Sequence, residues 1–219
     1  MNKVHTILHS LAVAAALAAG ASPALAQDAK AGEKKAAMCI GCHGILGYQA
    51  SFPEVHRVPM IAGQTAPFVA ASLAAYKKGD RRHPTMRAIA ASLAEQDMAD
   101  LAAYYSKLGG GSMKTVSAAP APSDAVKKLL DKGACATCHG ADFNKPADAA
   151  NPKLAGQPAD YLYVALKAYK TEGNTVVGRS NPIMAAQLKQ FTLAELKAIA
   201  GHIATLPGDV HTEPLHRFR

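Results

Sequence analysis

Four cysteines and two histidines stand out by their spacing. Cys39-Ile40-Gly41-Cys42-His43-Gly44 and Cys135-Ala136-Thr137-Cys138-His139-Gly140 are one pattern, CxxCH followed by glycine, met twice in 219 residues. Thiols three residues apart share one side of a helical turn. They can add to the two vinyl groups on one edge of a porphyrin, and the next residue carries an imidazole round to the iron. CxxCH is the attachment pattern of a covalently bound c-type haem. Gly44 and Gly140 permit close backbone approach to a flat macrocycle and a sharp exit from the turn. Three other chemistries use paired cysteines. Two disulfides suit an exported chain, a CxxC can be a thioredoxin-type redox pair, and two CxxC pairs can hold zinc. Zinc ribbons separate their pairs by about 15–20 residues, whereas 92 lie between Cys42 and Cys135. None of the three accounts for a histidine in the same place twice. The spacing therefore predicts two haem c groups, attached through Cys39 and Cys42 and through Cys135 and Cys138, with His43 and His139 on one face of each iron.

The other iron face takes Met, His, Lys or no protein ligand. Met184 is the only methionine after Cys138, and its counterpart is Met86. Each stands two residues after a proline, Pro84 or Pro182, whose fixed φ stiffens a loop that has to deliver sulfur to iron. A methionine beside an apolar helix is ordinarily core filler. The remaining ones have no methionine counterpart: Met60 faces Lys153, Met98 faces Leu196, Met38 faces Ala134, and Met113 falls between the repeats. Met86 and Met184 are the expected sixth ligands. His56, His202, His211 and His216 read as surface or loop residues. His83, three residues before Met86, is the one competitor for the iron.

The elements that position these groups come in two copies. Val58-Pro59-Met60-Ile61-Ala62-Gly63-Gln64 matches Asn151-Pro152-Lys153-Leu154-Ala155-Gly156-Gln157, and His83-Pro84-Thr85-Met86 matches Asn181-Pro182-Ile183-Met184. The offset is 96 residues at the cysteines, 93 at Gly-Gln and 98 at Pro-x-Met, a drift that loops absorb. Helices are expected at Asp28–Cys39, Ser123–Ala134, Ala66–Lys78 and Ala159–Lys170. Met98, Leu101, Ala102, Tyr105 and Leu108 form one apolar stripe over Glu95–Leu108. Thr192 and Glu195 make a capping box before the matching helix. No period-two alternation appears, so each repeat reads as all-α.

Ahead of the repeats, Lys3, the apolar run Leu11–Ala19 and Ala24-Leu25-Ala26 have the three parts of a secretory signal. The run is too short to span a bilayer. Cleavage after Ala26 and a periplasmic location are expected. The domain boundaries are then 1–26 signal peptide, 27–110 first domain, 111–122 linker rich in Gly, Ala and Pro, and 123–219 second domain. The chain is 49% hydrophobic but only 5% aromatic, with no Trp. Two small domains built from Ala, Leu and Val have thin cores, and a porphyrin in each supplies the missing apolar mass. Formal charge is +8. No Lys/Arg run of nucleic-acid type exists. Lys77, Lys78, Arg81, Arg82 and Arg87 gather near Met86 and read either as a solvated face or as a ring steering an acidic redox partner.

Taken together, two CxxCH motifs, Pro-x-(Leu/Ile)-Ala-Gly-Gln, Pro-x-Met and the Ala-Ala-Tyr-Tyr helix resemble the diheme cytochrome c4 family over nearly the whole exported chain. The resemblance implies two tandem class I cytochrome c domains packed about a pseudo-two-fold axis with their haems near the interface. It implies electron transfer, often toward a terminal oxidase, and peripheral association with the membrane. Cys39, Cys42, His43 and Met86 would serve the first haem and Cys135, Cys138, His139 and Met184 the second. Met-capped irons leave no open position for substrate, so the expected role is a carrier with redox protein partners, a dehydrogenase or an oxidase, and no catalysis. Two alternatives stay open: a cytochrome subunit of a periplasmic dehydrogenase, and a diheme enzyme such as a peroxidase or thiosulfate dehydrogenase. Two segments depart from the family pattern, the stretch Gly47–Arg57, longer and more aromatic than its counterpart in the second half, and the tail Gly208–Arg219, which has no repeat partner; each is a candidate docking surface.

Overall fold

Helix ends in this chain are set by short polar caps, prolines and left-handed glycines, and these break each repeat into short helices around a small core. The structure is a computed structural model and describes residues 27–109 and 119–214. The expected signal peptide, Met113, most of the linker and His216 lie outside the described residues.

The first repeat runs α1 (Ala29–Lys35), α2 (Ala37–His43), β1 (Gln49–Ala50), β2 (His56–Arg57), α3 (Ala66–Lys78), β3 (Arg81–Arg82), α4 (Pro84–Ala91) and α5 (Glu95–Lys107). The second runs α6 (Asp124–Lys132), α7 (Cys135–His139), α8 (Ala159–Lys170), β4 (Gly178–Arg179), α9 (Pro182–Leu188) and α10 (Leu193–Ile203). The predicted helix Asp28–Cys39 is divided at Ala36, and α2 extends through His43. In the second copy α6 stops at Lys132, and Ala134, at φ 45°, turns the chain before α7. Asp28 and Ser123 cap the leading helices. The capping box forms as expected, with the Thr192 amide donating to Glu195 and the Glu195 amide to Thr192 Oγ1. Gly79, at φ 92°, ends α3 in the left-handed conformation that a Cβ would oppose.

In the first core the α5 stripe packs Met98, Leu101 and Tyr105 against Ala36, Ala62 and Leu93. Helix α1 crosses α5 at Gly32, where a Cβ would lie 2.0 Å from the Asp100 carbonyl oxygen. Asp100 is buried beneath this crossing. It accepts from the Asp28 amide at 3.0 Å, Lys35 Nζ at 2.7 Å and Gln96 Nε2 at 2.8 Å. The second core uses bulk instead: Phe143, Phe191, Leu162, Leu196, Ile199 and Ile203.

Three two-stranded contacts escape a reading by period. β1 pairs with β2, β3 pairs with β4 across the repeats, and Ala62 bridges His211. Strands of two residues show no alternation, and the second and third contacts join residues distant in sequence. The repeats meet through a reciprocal exchange. Gln64 Nε2 donates to the Lys153 carbonyl at 3.0 Å, and the Lys153 amide donates back to Gln64 Oε1 at 2.9 Å. Gln157 Nε2 donates to the Met60 carbonyl at 2.6 Å, and the Met60 amide returns to Gln157 Oε1 at 3.1 Å. Gln64 and Gln157 are repeat counterparts, as are Met60 and Lys153, so the interface has an approximate two-fold axis.

The 47–57 stretch and the described part of the tail, 208–214, are used inside the molecule. His56 is buried, not a surface residue, and its ring stacks on Tyr161 at 6.4 Å. Arg57 pairs with Asp160 at 3.0 Å, and Glu54 pairs with Lys167. The 49–57 hairpin is thus a strap from the first repeat onto α8. The tail returns the other way, with the His211 amide donating to the Ala62 carbonyl at 3.0 Å.

Two outcomes follow for stability. Replacing Gln157 with Met leaves the Met60 amide and carbonyl without partners, at about 1–3 kcal/mol per unsatisfied buried group. Denaturant unfolding of the haem-loaded protein should show that loss for Gln157→Met and a similar one for Gln64→Met. The exposed Gln190→Met should stay within about 0.5 kcal/mol. Lys35, with the Asp28 amide, holds the Asp100 carboxyl down to about 2 from an ordinary 3.8. A depressed carboxylate stabilises fully above the ordinary value and loses that contribution as pH falls toward the folded one. Melting profiles of Asp100→Asn should therefore be flatter than those of the parent between about pH 4 and 2.

Candidate haem sites

Each CxxCH lies on its own short helix, which brings the two thiols and the imidazole together without help from the rest of the fold. Cys39, Cys42 and His43 share α2, and Cys135, Cys138 and His139 share α7. No disulfide joins the four cysteines. Burial pushes the Cys39 and Cys135 thiols up. The exit from α7 depends on glycine. Gly140 has φ 82°, and a Cβ there would stand 2.1 Å from the Lys145 carbonyl oxygen.

Both histidines are oriented by the same device. His43 Nδ1 donates to the Pro59 carbonyl at 2.8 Å, and His139 Nδ1 to the Pro152 carbonyl at 3.1 Å. A carbonyl only accepts, so Nδ1 carries the proton and Nε2 keeps its lone pair. Burial lowers the pKa of both rings despite these bonds, which holds them neutral. A neutral imidazole with a fixed tautomer is the form that ligates metal. Pro59 and Pro152 are repeat counterparts, and each immediately precedes the residue that exchanges hydrogen bonds across the interface. Neither partnership was assigned a role from sequence; the repeated Pro-x-x-Ala-Gly-Gln motif was the available signal.

Met86 and Met184 open α4 and α9 and are half-buried. Their amides are capped by the residue before the proline, His83 Nδ1 at 3.5 Å and Asn181 Oδ1 at 3.0 Å. His83 uses its other nitrogen as well, with Nε2 donating to the Phe52 carbonyl at 3.2 Å. Both ring nitrogens of His83 are thus engaged, Nδ1 as acceptor and Nε2 as donor.

In the second repeat, Cys135, Cys138, His139 and Met184 line one cavity of about 710 Å³. Leu162, Leu166, Leu188, Phe191 and Ile203 supply its apolar walls. Size, apolar lining and donor set fit a haem. The cavity does not close within its own repeat, because Gln64, Phe68, Ser72 and Arg81 of the first repeat form part of its wall. Here the expected basic ring is corrected. Arg81 lies 5.0 Å from the Phe68 ring centroid and 5.7 Å from that of Tyr76. Its counterpart Arg179 lies 5.8 and 5.4 Å from Tyr161 and Tyr169, the counterparts of those rings. Arg82 donates to Ser180 Oγ at 3.0 Å, and Lys78 pairs with Asp80 at 3.1 Å. Arg81 and Arg82 therefore build the interface, while Lys77, Lys78 and Arg87 stay exposed. Burial alone would raise the Tyr161 phenol, but Arg179 and Arg81 outweigh it and hold the phenol below its ordinary value.

Comparison with known proteins agrees with this arrangement. The Cytochrome c family matches residues 29–109 and 123–207, once per repeat. Cytochrome c4 of Pseudomonas aeruginosa is 30% identical over 185 residues, covering 83% of this chain and 90% of that one. A thiosulfate dehydrogenase electron acceptor of Stutzerimonas stutzeri is 28% identical over 185 residues, covering 80% of this chain and 82% of its own. The cytochrome c4 structure from Acidithiobacillus ferrooxidans superposes with a TM-score of 0.59 at 27% identity, covering 78% of this chain and 99% of that chain. A family match over both repeats, a relative of this identity and two haem-shaped constellations place the chain in the cytochrome c family, as a tandem diheme electron-transfer cytochrome of the c4 type with a covalently bound haem c in each domain.

Proposed function

We propose that this chain is an exported, periplasmic electron carrier, cleaved after Ala26, whose two irons are each held by histidine and methionine. His43 and Met86 ligate the first and His139 and Met184 the second, with attachment through Cys39, Cys42, Cys135 and Cys138. The observation that carries this reading is the single cavity lined by Cys135, Cys138, His139 and Met184. The domains are taken as 27–110 and 123–219, joined by 111–122.

Haem c supplies a one-electron Fe(III)/Fe(II) couple. The chain's part is to orient and to exclude. Pro59 and Pro152 fix the imidazoles through Nδ1. Met86 and Met184 would hold the coordination position that a substrate needs, so the protein would pass electrons and perform no turnover alone. Imidazole and thioether together as the iron's protein ligands would favour the reduced state relative to other ligand pairs. The partners are redox proteins, a dehydrogenase donor and an oxidase-side acceptor. The likeness to thiosulfate dehydrogenase electron acceptors favours a sulfur-oxidising dehydrogenase as donor. Among the described residues no helix is long and apolar enough to cross a membrane.

Optical spectra of the matured protein test the ligand set. A pyridine haemochrome assay should count two haems per chain, with the weak near-infrared Met–Fe(III) band at full intensity. Met184→Ala should halve that band, add a high-spin component and let peroxide react. An undiminished band in Met184→Ala removes Met184 from the iron. Peroxide or thiosulfate turnover by the unaltered protein moves the enzyme reading ahead of the carrier.

A further inference from the structure

The wall that the first repeat contributes to the second cavity carries unbalanced positive charge. Arg81 and Arg179 are direct Cα partners in the β3–β4 ladder. Residues opposite one another in an antiparallel pair project to the same side, and like charges there repel. Neither guanidinium has a carboxylate in ion-pair contact among the described residues. Their partners are aromatic rings and the Tyr161 hydroxyl, to which Arg179 Nη2 donates at 3.1 Å. Of the carboxylates on the cavity wall, Asp80 is paired with Lys78, and Asp148 accepts the Ala150 amide. A further polar group there is unfinished. Ser72 Oγ, on α3, is buried with no hydrogen-bond partner, and Ser72 lines the cavity together with Arg81, Arg179 and Tyr161. An orphaned hydroxyl and two facing cations beside an otherwise apolar cavity call for one complement, a ligand oxyanion that accepts from all of them.

We infer that Ser72 and Arg81 of the first repeat, with Arg179 of the second, bind a propionate carboxylate of the second domain's haem, so that this haem's potential is set partly by the other domain. The inference rests on the ligand reading above and adds to it residues that no CxxCH or Pro-x-Met spacing points to. It is also asymmetric, since the counterpart of Ser72 is Ala165. Removing a cation or donor from a carboxylate leaves more negative charge near the iron, which favours Fe(III) and lowers the midpoint potential.

The test is a spectroelectrochemical titration of the diheme protein. Met184→His first identifies the second domain's wave, which should move to lower potential while the other stays. With both methionines intact, Arg81→Leu should then lower that wave by about tenfold in its reduction equilibrium, about 59 mV for a one-electron couple. Ser72→Ala, the smaller change and the safeguard against misfolding, should lower the same wave less. Arg81→Lys should restore most of the parent value, and the exposed Lys128→Leu should leave both waves in place. If Met184→His moves one wave but Ser72→Ala and Arg81→Leu leave that wave within twofold, the propionate site is wrong while the ligand reading stands. If Met184→His moves neither wave, the ligand reading falls and this inference with it.

Discussion

Two buried glutamine side chains, Gln64 and Gln157, hold the two domains together, and the haem sites are arranged around that contact. Each amide meets one backbone amide and one backbone carbonyl of the opposite domain. A side-chain amide that satisfies both groups of a partner residue acts as a short strand, and it removes two polar groups that would otherwise be buried unpaired. The residues so paired, Met60 and Lys153, directly follow the prolines whose carbonyls orient His43 and His139. Domain docking and imidazole orientation are therefore adjacent on the backbone. A shift at the interface is felt at both histidines within one peptide unit.

The two domains reach stability by different means despite their shared plan. The first closes its leading helix on α5 through Gly32 and a buried carboxylate with three donors. The second has Lys128 where the first has Gly32 and relies on Phe143 and Phe191. In both, the cysteine-bearing helix packs on the core through Cys39 or Cys135, so a haem attached there would complete the apolar interior. This accounts for cores that hold few large side chains.

The same helices that wall one cavity serve the other domain. Helix α3 belongs to the first repeat, yet Phe68 and Ser72 face the cavity of the second. The 49–57 hairpin and the 208–214 tail then strap the domains in opposite directions. Segments that look free when the repeats are aligned are those that break the two-fold symmetry, and the structure spends them on the interface. Of the exposed apolar residues, Ile45, Leu46, Tyr48, Phe52 and Val55 lie in or beside that hairpin, and Met38, Val176, Ile183 and Leu193 lie elsewhere.

The cofactor chemistry was legible in the sequence because it is local. Cys39, Cys42 and His43 are brought together by one helical turn, and so are Cys135, Cys138 and His139. The α5 stripe and the Thr192–Glu195 box were legible for the same reason, since each depends on spacings of three or four residues, and the repeat was legible because such local motifs recur in the same order. What only the tertiary structure decided is everything that joins residues about ninety or more apart. The Gln64–Lys153 and Gln157–Met60 exchanges, the burial of His56 against Tyr161 and the facing of Arg81 and Arg179 leave no periodic trace, because the partner of each is fixed by docking. That is why five basic residues near Met86 read as a solvated face or a steering ring until the second domain was seen to cover two of them.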